Sequence, residues 1–188
     1  MPAWAIALIV VGGVLLICTL WIVITYNVLT RSKIAVDEAF SSMDVQLKKR
    51  YDLIPNIVNT VKGYAKHEKE TLEQVISMRN LAVAAPNAEA KIKADGELSG
   101  AISRLFALAE SYPELKADRN FAQLQGTLTG VENEIAASRR YYNAIVKLHN
   151  TKVRVFPSNV IARWFKFSTM PMYEVGDAQE RANVKVEF

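Results

Sequence analysis

Hydrophobic and polar positions follow two different rules along this chain. Residues 3–25 are an uninterrupted apolar run, AWAIALIVVGGVLLICTLWIVIT. As a helix it would reach about 35 Å, enough for a hydrocarbon core of roughly 30 Å. From Phe40 the apolar residues become periodic instead: Phe40, Met43, Leu47, Tyr51, Ile54, Val58, Val61 and Ala65. Steps of three and four predict a helix that buries one stripe. A second run (Leu72, Val75, Ile76, Arg79, Ala82) ends before Pro86, and a third (Leu98, Ile102, Leu105, Leu108, Ala109, Tyr112) stops at Pro113. The fourth (Leu124, Leu128, Val131, Ile135, Tyr142, Ile145, Val153) starts after Asp118 and ends before Pro157. Strand-like alternation is confined to residues 153–156 and 184–188. The chain therefore reads as all-α: an N-terminal transmembrane helix, an antiparallel up-and-down four-helix bundle and a short C-terminal extension.

The count of four turns on Pro55. The residue before a proline is pushed out of helical geometry, and Asp52 could cap a new helix with Pro55 in its first turn. An unbroken first helix would leave much of its stripe uncovered, so a break near Arg50 to Asp52 is expected, although the apolar phase continues straight through. The predicted segments are an anchor (1–30), a helical bundle (31–157) and a basic, aromatic segment with a tail packing on the bundle (158–188).

Charge sharpens the division. No charged residue precedes Arg31, although the whole chain carries 23 basic and 19 acidic residues. No basic region leads into the apolar run, and it lacks a small-residue cleavage site, so an uncleaved single span is expected. Trp4 at one end, and Trp21 and Tyr26 at the other, suit interfacial aromatic belts. Cys18, the only cysteine, lies inside the span as a small apolar residue and leaves no thiol chemistry elsewhere. Arg31, Lys33, Lys48, Lys49 and Arg50 follow the span and no Lys or Arg precedes it, which predicts the N-terminus outside and the large domain in the cytoplasm. Residues 135–173 hold seven basic residues and no acid. Four antiparallel helices would return this stretch to the membrane. Arg154, Arg163, Trp164, Phe165 and Lys166 are then candidates for contact with the membrane interface or a partner. The plainer reading is that Ile161, Trp164 and Phe165 cap the bundle's end.

Chemistry is sparse. His67-Glu68 lacks the second histidine of a zinc-protease motif, because position 71 is Thr71. Tyr64 and Val146 stand where a Glu-x-x-His di-iron pattern needs glutamate. His149 shares a stripe with Ile145 and Val153 and reads as a hydrogen-bonded core residue. No phosphate-cradling glycine loop, catalytic set, cofactor site or metal site is expected. Gly126 and Gly130 sit inside a predicted helix, either permitting close approach or merely tolerated. On the fourth helix Glu132, Arg139, Asn143 and Asn150 form a polar stripe. It is either a solvated face or a buried network partnered by Asp44, Gln46, Arg50 and Asp52, fixing register without catalysis.

Tyr26-Asn27, the block VQLKKRYDLIPN (45–56), VKGYAKHE (61–68), ESYPELK (110–116), Asn120-Phe121, RRYYN (139–143) and FPSN (156–159) together resemble the bacterial LemA family. The similarity covers nearly everything beyond the span. Phe40 stands where the family usually has Trp, and Asn59 where it has an acid. The resemblance implies a single-pass inner-membrane protein with a short outside N-terminus, a four-helix bundle and no established enzymatic activity. It links relatives to envelope maintenance, to membrane metalloproteases encoded nearby and, in one branch, to magnetosome formation. It carries over no catalytic residue. His67, Arg50, Asp52, Pro55 and Asn143 match family motifs and read as structural.

The function expected is a membrane-anchored scaffold or adaptor working through protein contacts, with a membrane metalloprotease or a second copy as partner. The alternative is a metal-binding or hydrolytic protein using His67 or His149 with nearby carboxylates. Nucleic-acid binding through the basic run is disfavoured by the anchor and by the absence of a recognisable motif.

Overall fold

The structure, a computed structural model, describes residues 2–173. The residues described are helical and contain no strand: α1 (Ala3–Tyr64), α2 (Lys69–Val83), α3 (Ala88–Glu110), α4 (Pro113–Lys116), α5 (Arg119–Arg154) and α6 (Ser158–Trp164). The alternation at 184–188 lies outside the described residues, and that at 153–156 belongs to the end of α5 and the turn after it. Two compact units are formed. One comprises Met1–Ala39 with Asn143–Met172, and the other Phe40–Tyr142 with Tyr173.

The expected break at Arg50 to Asp52 is absent, because α1 runs unbroken through Pro55 for 62 residues. Proline has no N–H, so the carbonyl four residues earlier, that of Tyr51, loses its helical donor. Arg79 on α2 replaces that donor: its Nε donates to Tyr51 O at 3.1 Å. The local cost of Pro55 is thus offset by a contact that sequence proximity does not reveal. The uncovered-stripe objection also fails. Residues 3–25 are mostly exposed and apolar, as a bilayer-facing segment should be. Further on, Leu29 and Val36 are buried within the first unit, and Met43, Leu47, Tyr51, Ile54, Val58 and Val61 within the second.

The helix ends instead at Ala65 to Glu68. Gly63 weakens its last turn, and two phenols tie down the chain on either side of the ending. Tyr64 donates to Asp118 Oδ2 at 2.7 Å, and Tyr112 to Glu68 Oε1 at 3.2 Å. The α2 helix that follows has 15 residues. α2 and α3 pack together through Leu72, Val75 and Ala82 on one side and Leu98, Ala101, Ile102, Leu105 and Ala109 on the other. Asn87 caps α3 by accepting from Ala90 N, and Asp118 caps α5 by accepting from Phe121 N, both at 2.9 Å. Gly126 and Gly130 face open space, so no close helix approach depends on them.

In the first unit, Leu29 on α1 packs against Ile161 and Ala162 of α6, flanked by Ile22, Val153 and Phe167. α6 ends in a Schellman turn: Phe167 N donates to Ala162 O at 2.8 Å and Lys166 N to Arg163 O at 3.2 Å. The left-handed position is held by Lys166 at φ 59°. Glycine is usual there, since an L-residue in this conformation costs about 1–2 kcal/mol.

Replacing Arg79 by Ala should cost about 1–3 kcal/mol by orphaning a buried carbonyl. In a Pro55→Ala background, residue 55 regains an N–H that can reach Tyr51 O, and the cost of Arg79→Ala should shrink by at least half. A double-mutant cycle by chemical denaturation of the detergent-solubilised chain measures this.

Candidate functional site

The densest polar cluster lies in the second unit and centres on Asp95 of α3, whose side chain is fully buried. Its Oδ1 accepts from Arg50 Nη2 and, at 3.4 Å, from the Tyr51 hydroxyl. Its Oδ2 accepts from Arg139 Nη2 at 2.7 Å and from the Tyr173 hydroxyl. Arg50, also fully buried, donates through Nη1 to Ser99 Oγ at 3.1 Å and to Glu132 Oε1 at 3.0 Å. Its Nη2 also reaches Asp95 O at 3.2 Å. The Arg139 guanidinium stacks over the Tyr173 ring, 4.3 Å from its centroid.

Two guanidiniums and two carboxylates thus form a locally neutral group. Burial opposes the charge of Arg50, but Asp95 and then Glu132 outweigh it and raise its pKa above the ordinary value. Tyr51 and Tyr173 are pushed well up, first by burial and next by the Asp95 carboxylate. Their phenols stay protonated and serve as donors. The arrangement joins α1, α3 and α5 at one point.

The residues singled out from sequence distribute unevenly. Arg50, Glu132 and Arg139 meet in this cluster. Asp44 pairs with Lys91 at 2.6 Å, and Asp52 lies at the surface with Lys48 at 2.7 Å and Arg79 at 4.0 Å. Asn143 is half-buried. Asn150 belongs to the other unit, where it clasps Met170, donating to its O at 2.9 Å and accepting from its N at 2.8 Å. Asp95, Ser99 and Tyr173 were missed. Asp95 lies three residues before Leu98 and seven before Ile102, and that placement on the buried stripe was the available signal.

In the first unit, His149 is buried, with Nδ1 2.9 Å from Ser32 Oγ and Nε2 3.1 Å from Ser168 O. A carbonyl only accepts, so Nε2 carries a proton, and both nitrogens are engaged without a metal. His67 is exposed on the turn after α1. Among the described residues, no three His, Cys, Asp or Glu side chains converge on a point that could hold a metal ion. Of the basic, aromatic segment, Ile161 is buried. Arg154, Arg163, Trp164, Phe165 and Lys166 are exposed, Trp164 at 68%. The Phe165 and Phe167 rings lie 4.8 and 5.7 Å from that of Tyr26.

Two outcomes are expected. Asp95→Ala should destabilise the fold by about 3–5 kcal/mol, because the fully buried Arg50 loses one of its two carboxylates and Arg139 loses its ion-pair partner. In an alkaline absorbance titration, Tyr51 and Tyr173 should not ionise until the protein unfolds. Their raised values mean that the stability they confer is complete below the unfolded tyrosine pKa near 10 and declines as pH rises beyond it. Normal ionisation of every tyrosine in the folded chain would contradict the buried phenols.

The sequence is similar to that of several known proteins. Protein LemA of Metamycoplasma hominis is 28% identical over 163 residues, covering 84% of this chain and 72% of its own length. Magnetosome protein MamQ 2 of Paramagnetospirillum magneticum is 31% identical over 74 residues, covering 39% of this chain and 27% of that protein. Magnetosome protein MamQ of Magnetospirillum gryphiswaldense is 28% identical over a stretch of the same length. The family model described as the LemA family matches residues 39–188, the greater part of the chain. This protein belongs to the LemA family.

Proposed function

We propose that the protein is a membrane-anchored helical scaffold or adaptor of the bacterial inner membrane. It acts in envelope maintenance through protein–protein contacts and has no catalytic activity of its own. The N-terminus lies outside and the helical domain in the cytoplasm, the orientation favoured by the basic residues after the span. The anchor, bundle and C-terminal segment divide at residues 30 and 157, and the bundle is an up-and-down arrangement of four helices. Its support is the order of contacts within the second unit. Tyr64 meets Asp118, Arg50 meets Glu132, and Phe40 meets Tyr142 at 5.8 Å, so positions along α1 find α5 in reverse order. Arg154, Arg163, Trp164, Phe165 and Lys166 contact the membrane interface.

One observation carries the adaptor reading. The strongest ionic chemistry is consumed inside the core around Asp95, whereas an open groove of about 820 Å³ remains along α1 and α2. Val58, Leu72, Ile76 and Leu81 give it an apolar floor, and Lys62, Lys66 and Lys69 stand at its side, Lys69 pairing with Glu73 at 3.5 Å. The complementary occupant is an amphipathic helix with an acidic edge. A membrane metalloprotease segment, suggested by family association, and a second copy of this chain are the partners to test first.

A photoreactive residue at Leu81, crosslinked in intact membranes, should give a discrete heteromeric or homomeric product, while the same label at exposed Ala122 gives none. An unlinked monomer from Leu81 would contradict the adaptor reading. Reporter fusions at each terminus should place the N-terminus outside and the C-terminus inside.

A further inference from the structure

The first unit holds a second cavity, of about 320 Å³, lined by Tyr26, Thr30 and Lys33 of α1, by His149 of α5 and by the chain from Phe165 to Ser168 with Met170. Its lining contains two lysines and no carboxylate. Among the threonines of the described helices, Thr30 is the one whose hydroxyl is buried without a hydrogen-bond partner. Thr19, Thr60, Thr127, Thr129 and Thr151 each donate back to the carbonyl four residues earlier. The Thr30 hydroxyl makes no such bond and is buried without a hydrogen-bond partner. A buried hydroxyl normally finds one. His149 is no candidate ligand, since both its nitrogens are used by Ser32 and Ser168. It forms a wall.

Lys166 is the second anomaly. It occupies the left-handed position of the turn after α6, where glycine fits better, and like Lys33 it lines the cavity. A non-glycine residue held in such a conformation is a pointer to function. The two aromatic neighbours of Lys166, Phe165 and Phe167, both pack on Tyr26 and fix the turn against α1.

Depth supplies the ligand. Thr30 and Lys33 lie about 8 and 12 Å along the helix beyond residue 25, where the apolar run ends. Headgroups occupy the several ångströms outside the hydrocarbon core. The abundant anion at that level is the phosphate of a lipid, and basic pockets beside membrane helices favour anionic headgroups. The geometry points to a phosphate-binding site, with Lys33 and Lys166 supplying charge and the Thr30 hydroxyl donating a hydrogen bond, occupied by the headgroup of an anionic phospholipid. The volume suits a headgroup rather than a whole cofactor. This site rests on the proposed interfacial placement of the segment around Trp164 and gives that placement a specific ligand.

The test uses the full chain in nanodiscs or detergent. Native mass spectrometry after exchange into phosphatidylglycerol-containing micelles should show one retained lipid per chain, and none from phosphatidylcholine alone. Lys166→Gly relieves the turn and should leave Tm unchanged or raised while reducing retention about tenfold, the scale of one charge-assisted hydrogen bond. Lys166→Arg should keep the lipid. Thr30→Val should lower retention, and Arg163→Gln, which alters basic charge outside the cavity, should not. Inorganic phosphate that protects the detergent-solubilised wild type, but not Lys166→Gly, against thermal unfolding would support the same site with a free phosphate as its source. Equal lipid retention by wild type and Lys166→Gly, or no retention of lipid and no phosphate protection, overturns the site. Quenching of Trp164 by lipid-borne quenchers reads the interfacial placement separately: quenching without lipid retention leaves that placement standing and removes only the pocket.

Discussion

A fully buried carboxylate, that of Asp95, can exist in this fold only because Arg50, Arg139, Tyr51 and Tyr173 all point donors at it. A buried charge costs several kcal/mol unless its partners are in place. Those partners come from α1, from α5 and from the chain after α6, so the carboxylate is satisfied only when all have reached register. Such a cluster contributes less to net stability than its short contacts suggest, because desolvating both guanidiniums offsets much of the attraction. Its larger effect is to penalise any slipped packing. A helix shifted by one turn would leave Asp95 facing apolar side chains, at a cost comparable to the total stability of a domain of this size.

The same logic applies on a smaller scale at Pro55. A proline in a helix interior orphans a carbonyl, and Arg79 satisfies it from α2. α1 can therefore continue through the second unit as one helix, with its conformational anomaly repaired by tertiary structure. In both places a polar group unsatisfied by its own helix specifies which neighbour must lie beside it. Open surface lies along the groove of α1 and α2 and in the cavity around Thr30.

Much of this was legible in the sequence. The apolar run at 3–25 forms the exposed, uncharged first part of α1. The phase Met43, Leu47, Tyr51, Ile54, Val58, Val61 is the buried stripe of α1, and Asp118 marks the start of α5. The continuity through Pro55 was not legible, since its remedy lies on another helix. Asp95 was obscured by its local context, a polar stretch with Gly96, Glu97 and Ser99 that reads as solvated. Tyr173 reaches the core across 78 positions, a separation no local pattern encodes.

The scaffold reading depends on the Asp95 cluster being a register device shared by several helices. Amide hydrogen exchange on the full-length chain in nanodiscs, wild type against Asp95→Asn, tests this most directly. If the cluster ties the helices together, the neutral substitution lowers protection in concert along α1 near Arg50, in α3 and along α5 from Glu132 to Arg139. Loss of protection confined to the turns of α3 around residue 95, with α1 and α5 unchanged, would contradict it.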